Sequence, residues 1–236
     1  MNTLKLLKHK SKQENSFVKG QLVTFINLYS YLFFRKKIML FKNFDAIYLD
    51  GIAMVWLMKI ISSPLKRNSF DMTSIAPKVF EKAELNRETV YFLGAKEKEI
   101  VAFVKMIEKA FPNLKIVGYN NGYFINKNAK EKILNSIISI SPDLLIVGMG
   151  TPYQEEILLE VRKKGWYGTG YTCGGFFHQT TERINYYPRI VDKLNLRWLY
   201  RIYDEPKLFK RYFFDYPKSF VLFTFDLIKY AFSIKG

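Results

Sequence analysis

DLLIVGMG (143–150) runs directly into TPYQEE (151–156), and this junction decides the fold. Leu144 to Val147 form an unbroken apolar run, as expected of a strand covered on both faces. Gly148 and Gly150 end it, and a helix begins: Thr151 is a good N-cap, Pro152 suits the first helical position, and Gln154 stands where a capping box needs it. Backbone amides left bare by glycine at a strand's carboxyl end, with a helix dipole behind them, also favour a phosphate or diphosphate. Gln154 either caps or reaches a ligand; one rotamer hardly serves both.

Working outward, FDAIYLD (44–50), TVYFLG (89–94) and LKIVGYN (114–120) repeat the short apolar run and alternate with longer amphipathic stretches. Between Lys96 and Ala110, the apolar Ile100, Phe103, Val104 and Ile107 recur at helical spacing until Pro112 ends the pattern. The fold class this predicts is α/β: a Rossmann-like, mainly parallel sheet flanked by helices. From Tyr186 onward the chain turns basic and aromatic, which divides it into a core over 1–185 and a helical C-terminal appendage over 186–236.

With 236 residues, 49% of them hydrophobic, the chain can bury one substantial core. The single cysteine, Cys173, excludes an internal disulfide, and no cysteine and histidine spacing suggests zinc. The formal charge of +16 calls for an anionic partner: nucleic acid, a phosphorylated ligand or an acidic membrane leaflet. No RNA- or DNA-binding motif accompanies the charge, so nucleic acid is not the expected partner. The N-terminus, MNTLKLLKHKSKQENS, has lysines without a following apolar core and predicts no secretory signal. Leu22 to Phe34 and Phe220 to Ile234 are too short to span a bilayer, so membrane contact is expected to be peripheral.

Several residues sit where chemistry is done in such folds. Asp50, before Gly51, is either a turn residue or a general base at the mouth of an α/β crevice. Thr24 and Asn27 offer a hydroxyl and an amide in a strand-to-helix turn, as caps or as ligand contacts. Lys66 and Arg67, ahead of Asp71, are a loop charge or a phosphate clamp. In GYTCGGFFHQ (170–179), Gly174 and Gly175 suit a close backbone approach, and His178 by itself proves nothing. No D-x-D pair is present to hold a divalent ion on a diphosphate, so basic side chains and helix ends are the expected charge stabilisers, with no metal and no cofactor.

Drawn as a helix, SFVLFTFDLIKYAFSIKG (219–236) puts Asp226, Lys229 and Ser233 on a narrow polar stripe. Around them stand Phe220, Phe223, Leu227, Phe232 and Ile234. Such a face docks on the core or on a second subunit of a homo-oligomer, or else it enters a membrane interface helped by basic residues.

Together and in this order, these segments resemble the WecG/TagA/CpsF glycosyltransferases from about Leu22 to Tyr212. The V-G-x-G-x-P-x-Q-E signature appears as VGMGTPYQE (147–155). The P-x-L-x-I-V-G run and G-Y-F element appear as FPNLKIVGYNNGYF (111–124), and the W-L-Y-R element followed by E-P as RWLYRIYDEP (197–206). The resemblance implies an inverting transfer from a UDP-sugar, commonly N-acetylmannosamine or its uronic acid, to a polyprenyl-diphosphate-linked acceptor, on the inner face of the cytoplasmic membrane. By position it implies Asp50 as catalytic base and Thr24 and Asn27 in the sugar pocket. Gln154 and Glu155 would belong to the nucleotide-sugar site, and Arg201 and Arg211 would face the acceptor's diphosphate.

The chain departs from the family pattern around the same pocket. His178 stands for an aspartate, Glu182 for a glycine, Tyr186 for an arginine, Arg197 for a glutamate and Ser69 for a glycine, while Lys66 rather than Arg67 falls in an arginine register. These changes leave the donor sugar open. They also motivate an alternative, a catalytically inactive nucleotide-sugar-binding scaffold of a polysaccharide assembly complex.

Overall fold

A computed structural model describes residues 2–11 and 18–235. Its centre is one six-stranded sheet: β1 (Leu22–Ile26), β2 (Ala46–Leu49), β3 (Thr89–Gly94), β4 (Lys115–Asn120), β5 (Leu144–Gly148) and β6 (Thr169–Thr172). The strand order is β2-β1-β6-β5-β3-β4 and every pairing is parallel, as the Rossmann-like reading requires. The helices between and beyond the strands are α1 (Thr3–Lys10), α2 (Leu28–Lys36), α3 (Ile38–Lys42), α4 (Ile52–Lys59), α5 (Ala76–Asn86) and α6 (Glu97–Ala110). They continue with α7 (Lys127–Ile140), α8 (Tyr153–Lys163), α9 (Phe176–Gln179), α10 (Arg189–Lys193), α11 (Arg197–Asp204) and α12 (Tyr216–Lys235).

Alternation along β5 sends Leu144 and Ile146 to one face and Leu145 and Val147 to the other. On the first face α5, α6 and α9 bring Phe80, Phe103, Phe176 and Phe177 together, with the Phe103 and Phe177 rings 4.6 Å apart. On the second, α7 and α8 cover β3 and β5, while α1 to α4 and α12 cover β1 and β2. Because the chain leaves β3 toward β4 but leaves β5 toward β6, the sheet has a switch point between β3 and β5, where a crevice opens at the carboxyl ends. The two strands nearly touch there. A Cβ on Gly94 would stand 2.2 Å from the Gly148 carbonyl oxygen, so only glycine fits.

Strand β6 lies at the centre of the sheet although TGYT lacks the aliphatic run that marks the other strands. Its Gly170 is pressed between Leu22 and Leu158, where a Cβ would meet methyl carbons at 2.7 and 2.8 Å. At the N-terminus, α1 buries Leu4, Leu6 and Leu7 against the core.

Helix α12 has two faces. Ser219, Phe223, Asp226 and Tyr230 are buried against α1 and α2, whereas Phe220, Val221, Phe225, Ile228 and Phe232 are exposed. Asp226 therefore does not share a solvent-facing polar stripe with Lys229 and Ser233, as drawn from sequence. It is 4% exposed and accepts from Tyr31 Oη at 2.6 Å and from Arg35 Nε at 2.5 Å, partners that only packing against α2 supplies. Among the described residues, no helix is long and apolar enough to cross a membrane.

Candidate active site

The parallel register between β1 and β2 aligns Ile26 with Leu49, so Asn27 and Asp50 leave the sheet side by side. The Asp50 amide donates to the Ile26 carbonyl at 2.8 Å. Asn27 is the N-cap of α2: its Oδ1 accepts from the Ser30 amide at 3.0 Å, and the Ser30 hydroxyl accepts from the Asn27 amide at 2.8 Å. Capping leaves Nδ2 free to face Asp50 Oδ2, at 3.5 Å. The capping and site readings of Asn27 thus hold together, because opposite ends of one amide serve them.

Asp50 sits in a charged surround. Burial, followed by the nearby Asp71 carboxylate, pushes its proton affinity up, while Arg67 and Arg197 pull it down; the net is a carboxyl above the ordinary range. Asp71 is held low despite its own burial by Arg197 and by hydrogen bonds from Ser69 and Thr73. Arg197 is central here: it meets Asp71 at 2.7 Å and Asp192 at 2.6 Å, donates to the Thr73 hydroxyl, and lies 4.5 Å from the Tyr187 ring centre. Arg67 also pairs with Asp192, at 3.1 Å, whereas Lys66 is exposed.

Beside this lies a buried polar network. The Thr172 hydroxyl donates to Thr24 Oγ1 at 2.9 Å, and Thr24 donates to Glu155 Oε1 at 2.8 Å. The same oxygen accepts from Thr151 Oγ1 and from Gln154 Nε2, each at 3.1 Å. Gln154 Oε1 accepts from the Gly174 amide at 3.0 Å. The expected capping box is therefore not made. Helix α8 starts at Tyr153 with no side-chain cap, because the Gln154 amide turns to the β6 loop and to its neighbours Thr151 and Glu155.

Past the Gly148–Gly150 turn, a cavity of about 540 Å³ opens over the switch point, lined by Ala95, Gly122, Tyr123, Met149 and Tyr153 among others. This cavity lies on the Tyr153 side of the β5–α8 turn, while the Gln154 side chain is turned to Thr151, Glu155 and Gly174. The C-terminal segment comes in against the β6 loop. Arg201 pairs with Glu205 at 2.6 Å and approaches Gly175, its guanidinium 3.7 Å from where a Cβ would stand. The Arg211 guanidinium lies 3.9 Å from the centre of the Tyr29 ring. Tyr187, Tyr212 and Tyr216 all lie within electrostatic reach of the Asp50 charge.

The profile of the Glycosyl transferase WecG/TagA/CpsF family matches residues 3–232. The chain belongs to this family. It is 39% identical over 211 residues, covering 89% of this chain and 88% of the relative, to a UDP-Gal:alpha-D-GlcNAc-diphosphoundecaprenol beta-1,4-galactosyltransferase of Shigella boydii. It is 27% identical over 169 residues, 71% of this chain and 63% of the relative, to an N-acetylglucosaminyldiphosphoundecaprenol N-acetyl-beta-D-mannosaminyltransferase of Bacillus spizizenii.

In this glycosyltransferase Asn27, Asp50, Gly148, Gly150, Gln154, Glu155, Gly174 and Gly175 stand at or just past the carboxyl ends of the strands, and Thr24 lies within β1. Arg67 follows α4, Arg201 and Arg211 belong to the C-terminal segment, and Lys66 beside Arg67 is exposed. Sequence reasoning missed the roles of Arg197 and of the three tyrosines. Arg197 was visible only as a departure from a family glutamate, and no spacing joins it to Asp71, 126 residues away. His178, another departure, has its Nδ1 3.0 Å from Glu99 Oε1 of α6.

Proposed function

We propose that this glycosyltransferase moves a hexose from a UDP-sugar, with inversion, onto the N-acetylglucosamine of a polyprenyl-diphosphate-linked acceptor in cell-surface polysaccharide synthesis, with Asp50 as general base. The observation that carries this reading is the Asp50 carboxylate at the mouth of a parallel sheet, oriented by the Asn27 amide and raised in proton affinity toward the range a base needs. In the single displacement, the acceptor hydroxyl oxygen bonds to the anomeric carbon and gives its proton to Asp50, while the bond to the UDP oxygen breaks and both electrons leave with UDP. Thr24 and Gln154 back the donor-sugar pocket, and the nucleotide reaches over the glycine turn into the 540 Å³ cavity beside Tyr123 and Tyr153. Arg67, Arg201 and Arg211 balance diphosphate charge without a metal ion. Galactose is the first donor to test, because the galactosyltransferase shares 39% identity with this chain and the mannosaminyltransferase 27%.

The lipid acceptor places the enzyme at a membrane surface, and the exposed apolar ridge of α12, flanked by Lys218 and Lys229, suits the interface. The test is UDP release from UDP-galactose and UDP-N-acetylmannosamine with N-acetylglucosaminyl-diphosphoundecaprenol, in the presence and absence of EDTA. Turnover that survives EDTA and falls about 1000-fold in Asp50→Asn is expected. Full activity of Asp50→Asn sinks the base assignment, loss on chelation sinks the metal-independent scheme, and UDP binding without turnover of any donor favours the scaffold.

A further inference from the structure

Glu155 belongs to the signature that identifies the chain, yet its side chain is 0% exposed. Its partners Thr24 and Gln154 are enclosed with it, at 0% and 3%. What it does touch is specific. One oxygen, Oε1, gathers three donors from three parts of the fold: Thr24 of β1, Thr151 of the glycine turn and Gln154 of α8. Thr24 is tied further to Thr172 of β6, and Gln154 to the Gly174 amide, so the network spans the carboxyl ends of β1, β5 and β6. The second oxygen, Oε2, is buried with no hydrogen-bond partner among the described residues.

We propose that Glu155 is a positioning residue, which acts from behind the donor pocket: it holds the Thr24 hydroxyl and, through the Gln154 amide, the Gly174 turn, and does not touch substrate. The proposal rests on the reading of Gly174 and Gly175 as part of the donor site. Glu155 gives the Thr24 hydroxyl its acceptor and, with Thr151 and Gly174, fixes the orientation of the Gln154 amide, and a misplacement of that kind is felt in the chemical step. Only Oε1 is needed for this, and an unpartnered Oε2 has no use for charge. Burial outweighs the donors and pushes the carboxyl above its usual range. A glutamine keeps the Oε1 acceptor and the shape, and therefore replaces it.

The experiment compares Glu155→Gln and Glu155→Ala for kcat and KM with UDP-galactose and N-acetylglucosaminyl-diphosphoundecaprenol, for the pH profile, and for UDP binding by calorimetry. Glu155→Gln is expected to stay within about 3-fold of wild type with the acid limb unmoved, while Glu155→Ala loses about 100-fold, mostly in kcat, and still binds UDP. Should Glu155→Ala fail to fold, Glu155→Gln decides alone. A Glu155→Gln enzyme that is strongly impaired, or whose acid limb disappears, overturns the proposal, as does a fully active Glu155→Ala enzyme. Thr24→Val and Gln154→Ala separate the two levels: wild-type turnover in both removes the donor-pocket reading itself, whereas loss in both beside an active Glu155→Ala removes only the role of Glu155.

Discussion

At Asp50, burial and the Asp71 carboxylate raise the proton affinity, and Arg67 and Arg197 lower it. The net upward shift has two consequences of opposite sign. As the proposed base Asp50 works in its charged form, so kcat/KM is expected to fall as pH drops through a value above the ordinary aspartate pKa of about 3.9. Stability follows the reverse course. The folded state binds this proton more tightly than the unfolded chain does, so above the raised pKa the charge costs stability, and the cost vanishes as pH falls through that pKa. Asp50→Asn is therefore expected to melt higher than wild type near neutral pH, with the gap narrowing in mild acid; thermal unfolding at the two pH values checks it. A variant less stable than wild type at neutral pH would mean that the Asn27 contact outweighs the burial cost.

Among the elements, α12 has one buried and one exposed face. Asp226 fastens it to Tyr31 and Arg35 of α2, and the Ser219 hydroxyl donates to the Leu28 carbonyl at 2.5 Å, one residue beyond the Asn27 cap. Removing one partner of this enclosed ion pair leaves an uncompensated charge, so Asp226→Ala should cost about 3 kcal/mol in denaturant unfolding. On the other face, Phe232 is 73% exposed and Phe225 56%. Combined serine substitutions at Phe220, Phe225 and Ile228 should leave the unfolding midpoint nearly unchanged and weaken sedimentation with anionic vesicles. Unchanged vesicle binding would assign the ridge to a protein partner. The sequence had posed docking and membrane insertion as alternatives for this tail. One face of the helix docks on α1 and α2 with Asp226 turned inward, and the vesicle assay tests the other.

For the whole molecule, the charge of +16 implies long-range attraction to an acidic leaflet. Screening shortens that reach to about 10 Å at 0.1 M salt, so vesicle binding should weaken steeply with ionic strength and keep only the apolar contribution of α12. Binding insensitive to salt would confine the interaction to the aromatic ridge. The parallel α/β fold was legible because β2, β3, β4 and β5 carry short apolar runs between amphipathic helices, a pattern set by covalent order alone. Asp50, Asn27 and Gln154 were legible for the same reason: each ends or follows a strand, and strand ends point to one rim. Strand β6 was not, since a strand pressed between neighbours on both sides can use glycine and threonine in place of aliphatic residues. Nor were the pairing of Arg197 with Asp71 or the inward turn of Asp226, which join residues 126 and 191 positions from their partners. Periodicity and turn chemistry act over a few residues, and so the sequence by itself determined the strands, the helices and the rim. Which charges meet across that rim depends on strand order and helix docking, where burial forces each ionised group to find a partner, and only the tertiary structure decided it.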